Sequence, residues 1–212
     1  MAAIIGKCLL DSGGAERIVR TTLGWLGEKR APLAFTGSGF LLGTPVFFDT
    51  VFYLMIPLGK SLAMRFRKNY GLYIMTIVAG ATMAHSLVPP TPGPLFVAEQ
   101  LNVSLGLMIV MGLIVGSLAC WVGYIYANWI NSKSKWHVPL RDSPDSPLAK
   151  LEKISYHQDK ALPNFILALL PVMLPILLIG GNTILQKVIN AHPSSLANIL
   201  SVVGDKNIAL II

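Results

Sequence analysis

"GTPVFFDT", Gly43 to Thr50, sets an aspartate in the middle of an apolar stretch that runs from Ala31 to Gly59. Asp49 is the only charged residue of that stretch. A run of this length and polarity belongs in a lipid bilayer, where an ionisable side chain costs about 3 kcal/mol and usually faces a cavity or a partner. Gly43 and Pro45 interrupt any helix that enters from Ala31, and Pro45 is the midpoint of the stretch. The aspartate therefore sits just past a helix break.

The rest of the sequence agrees with a membrane setting. Hydrophobic residues make up 53% of the 212 and charged residues only 13%, against roughly one quarter charged in soluble domains. Between Lys68 and Lys133 the only Asp, Glu, Lys or Arg is Glu99. There are 17 basic and 10 acidic residues, a net charge of +7, but the basic ones border apolar segments and no nucleic-acid-binding motif accompanies them. They read as orientation signals, and nucleic acid is not an expected partner. Cys8 and Cys120 give neither a disulfide framework nor a metal-ligand spacing, so no metal or cofactor is expected. No cleavable signal peptide is visible, and "IALII" opens a further apolar segment, so the sequence reads as cut at both ends.

Apolar segments cover 31–59, 70–88, 104–130 and 163–189. In lipid they are expected to be helices, which satisfy their own backbone hydrogen bonds. The expected fold class is an all-α integral membrane protein, a multi-span helical bundle. Lys60, Arg65, Arg67 and Lys68 mark one loop as cytoplasmic, and Lys133, Lys135, Arg141, Lys150, Lys153 and Lys160 mark another. Lys29 and Arg30 precede the first segment and Lys60 follows it, so both of its ends are cytoplasmic. A re-entrant hairpin over 31–59 satisfies that rule where a single crossing does not. Each arm of about 13 residues reaches about 20 Å, ending inside the bilayer.

The stretch "HSLVPPTPGP", His85 to Pro94, has four prolines and a glycine, and no helix continues through it. It is either an outer loop or the unwound centre of one broken span over 70–101. Residues 131–162 read as a cytoplasmic connector, 190–207 as an outer loop, and the remainder as a span cut short. The N-terminal 1–30 reads as an interfacial amphipathic helix, with Ile18, Trp25 and Leu26 toward lipid. Gly13 and Gly14 in "DSGGAERI" read as a helix break rather than a phosphate cradle, and Pro171 and Pro175 as kinks in a span. "NVS" at Asn102 to Ser104 is a glycosylation sequon in spelling only.

Asp49 has two readings, an N-cap of the second hairpin arm or a proton site. His85 lies at the end of an apolar run, where an imidazole suits proton coupling, a bond to a polar substrate, or a structural bond to a carbonyl in the break. The hydroxyls of Thr44, Thr50, Ser86 and Thr91 suit an oxygen-rich ligand, against the common alternative of bonding back to the helix backbone.

Three motifs, "DSGGAERI" at 11–18, "GTPVFFD" at 43–49 and "HSLVPPTPGP" at 85–94, resemble in order and spacing the gluconate permease family of proton symporters. The resemblance extends from Met1 to about Ile130. It implies a transporter of two inverted repeats, each with a re-entrant hairpin and a broken helix, in chains about twice this length. Residues 1–130 would be the later part of the first repeat, and 163–212 the start of the second. The resemblance tips "VPPTPGP" toward a broken helix beside the substrate. The family commonly has Thr-His-Gly and Pro-Pro-His-Pro-Gly-Pro in the second motif, where this chain has Ala84, Ser86 and Thr91, and Thr50-Val51 follows the aspartate. These departures bear on which sugar acid fits.

The function so implied is proton-coupled symport of gluconate, or a related small hydroxylated carboxylate, by a multi-pass protein of the bacterial inner membrane, and not an enzyme. Substrate would contact Gly43, Thr44, Pro45, Asp49, His85, Ser86 and Thr91, with Asp49 or His85 carrying the proton. No Lys or Arg lies within the spans, so helix N-termini and free N–H groups are the remaining donors for an anion. Partners are the substrate, protons and lipid; a homo-oligomer stays open. The rival readings are an intramembrane hydrolase pairing Asp49 with His85, and a non-transporting fragment or one half of a split transporter.

Overall fold

The computed structural model describes residues 7–9, 11–66, 70–133 and 162–189, and every regular element among them is helical. Helix α1 covers Gly14–Leu26 and leads through a 3₁₀ turn, Glu28–Arg30, into α2, Ala31–Gly43. Then come α3, Phe48–Phe66; α4, Tyr70–Leu87; α5, Pro92–Gln100; α6, Leu105–Lys133; and α7, Phe165–Ile189. Most of the proposed connector and the outer loop at 190–207 lie outside the described residues.

Local sequence sets each break. Gly13 takes φ +72° ahead of α1, a left-handed conformation that costs other residues energy, and the Ser12 hydroxyl accepts the Gly14 N–H at 3.3 Å. "DSGG" is thus a helix break. At the tip, α2 ends at Gly43 because Pro45 has no N–H to continue the ladder, and α3 opens at Phe48. That second arm runs seven residues past Gly59, to Phe66, with Pro57 inside it. Lys60 and Ser61 end the apolar run but not the helix, because polarity alone does not stop a helix and neither residue is a glycine or proline. The second break spans Val88 to Thr91, where the Pro89–Pro90 peptide is cis. Helix α5 then starts on a proline, which costs nothing at the first helical position.

Asn102, at φ 52°, closes α5. The Val103 N–H donates to the Ala98 carbonyl at 2.9 Å and the Asn102 N–H to the Glu99 carbonyl at 3.2 Å. This pair of bonds is a Schellman cap, and it gives the sequon asparagine a backbone role.

Close helix crossings hold the bundle together. Phe35 meets Tyr73 edge to face at 5.4 Å, Gly39 lies beside the backbone of Ile77 and Ala81, and Gly43 lies beside Ala81. The pairing advances in step along both helices, so α2 and α4 run parallel. Helix α3 joins the end of one to the start of the other and packs between their levels, with Gly59 against Ile77 and Tyr73. Helix α6 returns antiparallel to α4: Gly112 fits the Leu87 carbonyl, and Cys120 donates to the Ala79 carbonyl at 3.5 Å. Without a water-driven hydrophobic effect, small residues that let backbones approach are what hold membrane helices together.

Helix α1 departs from the interfacial reading. Ile18 and Val19 are fully buried in the core formed with Phe35, Leu42 and Met55, and Thr22 shares a 2.6 Å hydrogen bond with Ser38 of α2. Ile18 therefore faces protein, not lipid. Trp25 does stand out, at 71% exposed, edge to face with Phe165 of α7.

Among the described residues, two stretches are long and apolar enough to cross a membrane, 70–100 and 105–133. The outer face of α6 carries Leu107, Val110, Ile114, Leu118 and Val122, all exposed, followed by Trp121, Tyr126 and Trp129 toward its end. Lys133 places Nζ 4.5 Å over the Trp129 ring. Apolar flank, then aromatics, then a cation is the order expected of a span reaching its interface.

Candidate functional site

The parallel register of α2 and α4 brings the two breaks to one level. Gly43 contacts Ala81, and one turn further along α4 the His85 ring stands 5.6 Å from the Phe47 ring, centroid to centroid. Residues 38 apart in sequence thus meet at the point where both helices stop. Gly43, Thr44, Pro45 and Thr91 are buried; Asp49 and Ser86 are exposed; His85 is half-buried.

The carboxylate of Asp49 occupies the first turn of α3, one residue inside the helix rather than at its cap. Among the described residues it makes no hydrogen bond or ion pair. It is held near the positive end of the α3 dipole, a favourable place for a negative charge. The cap alternative for Asp49 does not match this geometry.

The two buried hydroxyls already donate. Thr44 Oγ1 gives its proton to the Phe40 carbonyl at 3.0 Å, and Thr91 Oγ1 to the Val88 carbonyl at 2.8 Å. Each keeps lone pairs that can accept from a ligand hydroxyl, but neither has a proton to give a carboxylate. Thr50 turns to a small apolar cavity lined by Leu9, Ala15, Leu42, Val46, Val51 and Leu54.

Backbone donors are fewer than the breaks imply. In the first turn of α5, Pro92 and Pro94 have no N–H and the Leu95 N–H is spent on the Thr91 carbonyl. Only Gly93 is left. The prolines that unwind the span also delete its anion donors. The first turn of α3 retains the N–H groups of Phe48, Asp49 and Thr50, since Val51 makes the first intrahelical bond, to Phe47. That end is the better anion site of the two.

Among the described residues no cluster of three His, Cys, Asp or Glu side chains stands ready to hold a metal. Phe47 is the site residue that sequence reasoning missed. It lies inside the quoted motif, but an apolar residue in an apolar run gives no signal of its own, and only the helix register puts it against His85.

A family model described as GntP family permease matches residues 1–212. A gluconate permease of Zymomonas mobilis is 32% identical over the whole chain, which covers 46% of that protein. The inner membrane permease YgbN of Escherichia coli is 30% identical over the whole chain, covering 47% of it. The low-affinity gluconate transporter of the same organism is 28% identical over 87% of the chain and 39% of its own length. The chain thus spans about half the length of the curated relatives it matches. No solved structure matches it significantly.

Proposed function

The chain belongs to the GntP permease family, and we propose from that premise that it serves proton-coupled uptake of gluconate or a related small hydroxylated carboxylate, as part of a multi-pass inner-membrane transporter. The family is one of permeases, which leaves the hydrolase reading without support. The observation that carries the proposal is the meeting of the tip with the break. From Tyr70 to Ala81 along α4 is about 17 Å, so a tip level with Ala81 lies near the middle of a hydrocarbon core about 30 Å thick when α4 starts at the cytoplasmic surface. That depth favours the re-entrant reading of α2 and α3.

Helix geometry supplies a reason for coupling. A substrate carboxylate at the α3 N-terminus shares it with Asp49, the second residue of the same helix. Two negative charges within a few ångströms of each other at one helix end repel. A proton on Asp49 removes the repulsion, so anion and proton bind together more readily than either alone. We assign the substrate's hydroxyls first to the His85 imidazole, which stands at the contact of tip and break, with Thr44 and Thr91, buried beside the two breaks, as the neighbouring acceptors.

Uptake of radiolabelled gluconate by the full-length protein in proteoliposomes tests this. A one-unit inward pH gradient is worth about 1.4 kcal/mol per proton, so one coupled proton gives about ten-fold accumulation. Uptake that ignores the gradient would remove proton coupling from the reading. No uptake by folded protein would remove gluconate and turn the search to other hydroxy acids.

A further inference from the structure

The two phenylalanines before Asp49 go separate ways. Phe48 stacks on Phe52 and joins the core, whereas Phe47, in the non-helical turn, stays 36% exposed and turns its ring to His85. The ring planes meet at 55°. His85 makes no hydrogen bond among the described residues; its Nδ1 is buried without a partner, while Nε2 is not buried. A buried, unpaired ring nitrogen is costly and in native structures usually marks a constraint with a purpose.

We propose that Phe47 is a positioning residue, which seals the Nδ1 edge of His85 and fixes the imidazole so that Nε2 alone is offered to substrate. The backbone of Phe47 is itself anchored, since its carbonyl accepts the first intrahelical bond of α3, from the Val51 N–H at 3.2 Å. The ring therefore reports the position of the tip directly to the break. With the ring in place, His85 has one nitrogen and one direction for a hydrogen bond. Without it, the imidazole rotates and both edges meet solvent. The inference deepens the proposed function and rests on it for its kinetic part.

The test has two arms. In the first, Phe47→Ala raises the KM for gluconate uptake about three- to ten-fold, the range set by one aromatic pair, and leaves the maximal rate near that of the parent. Phe47→Tyr, which keeps the ring, restores the parent KM; Phe47→Leu, which keeps only bulk, does not. In the second arm, carbethoxylation of His85 by diethyl pyrocarbonate is followed by peptide mass spectrometry without any substrate. The reagent attacks an unprotonated imidazole nitrogen, so His85 reacts several-fold faster in Phe47→Ala and at the parent rate in Phe47→Tyr. An unchanged His85 rate in Phe47→Ala overturns the proposal, and so does full kinetic recovery by Phe47→Leu. If the parent takes up no gluconate, the substrate reading fails while the labelling arm still decides the role of the ring.

Discussion

Gly80→Ala is expected to destabilise the protein by about 3 kcal/mol or more, the upper end of what one added methyl costs in a packed core. A Cβ at Gly80 would fall on the Thr36 carbonyl oxygen and stand 3.0 Å from the Phe40 nitrogen. Both are backbone atoms of α2 and have no rotamer in which to retreat. The helices would have to part, and the same crossing carries Gly39 and Gly43. Separation there also pulls the tip away from the break, so transport is lost along with stability. Gly37→Ala is the control, because nothing lies within 4 Å of a Cβ at Gly37, on the exposed side of the partner helix α2. It should be neutral or stabilising by about 0.5 kcal/mol. Recovery of folded protein after detergent extraction and heating separates the two; equal survival would show that the α2–α4 crossing is looser than described.

Asp49→Asn is expected to abolish gradient-driven accumulation, from about ten-fold per pH unit to none, while leaving exchange of labelled for unlabelled substrate across the membrane. The amide is nearly the size of the acid and cannot take or release the coupled proton. It also removes the charge that opposes an anion at the α3 N-terminus, so affinity at alkaline pH should rise rather than fall. Accumulation measured against a set pH gradient, beside exchange without one, gives both quantities. Normal accumulation by Asp49→Asn would move the proton elsewhere.

Much of this was legible from sequence because lipid leaves few options. The helices follow from apolar runs, and Pro45 and the clustered prolines from 89 to 94 announce the two breaks, although a single proline such as Pro57 is carried within a helix. Bounds were less legible where polarity and helicity part company: the charge at Lys60 ended an apolar run in the middle of α3. The burial of Ile18 was hidden because a helix with one apolar face looks the same whether that face meets lipid or protein. The site was legible as two separate motifs but not as one place. Its unity depends on α2 and α4 running parallel in a fixed register, and that comes from glycines whose role shows only when the facing backbone is known. The loss of anion donors at the second break was readable from Pro92 and Pro94, and stands against the expectation that a broken helix supplies free N–H groups.

The most direct measurement is ligand protection at the junction of the two breaks. Ser86 is exposed beside His85, and Cys8 is the exposed native thiol to be replaced by serine in the background. In the full-length protein carrying Ser86→Cys, a maleimide reagent should react readily without substrate and several-fold more slowly with saturating gluconate. An unchanged rate, in protein that still accumulates gluconate, would contradict the assignment of the binding site to the meeting of tip and break.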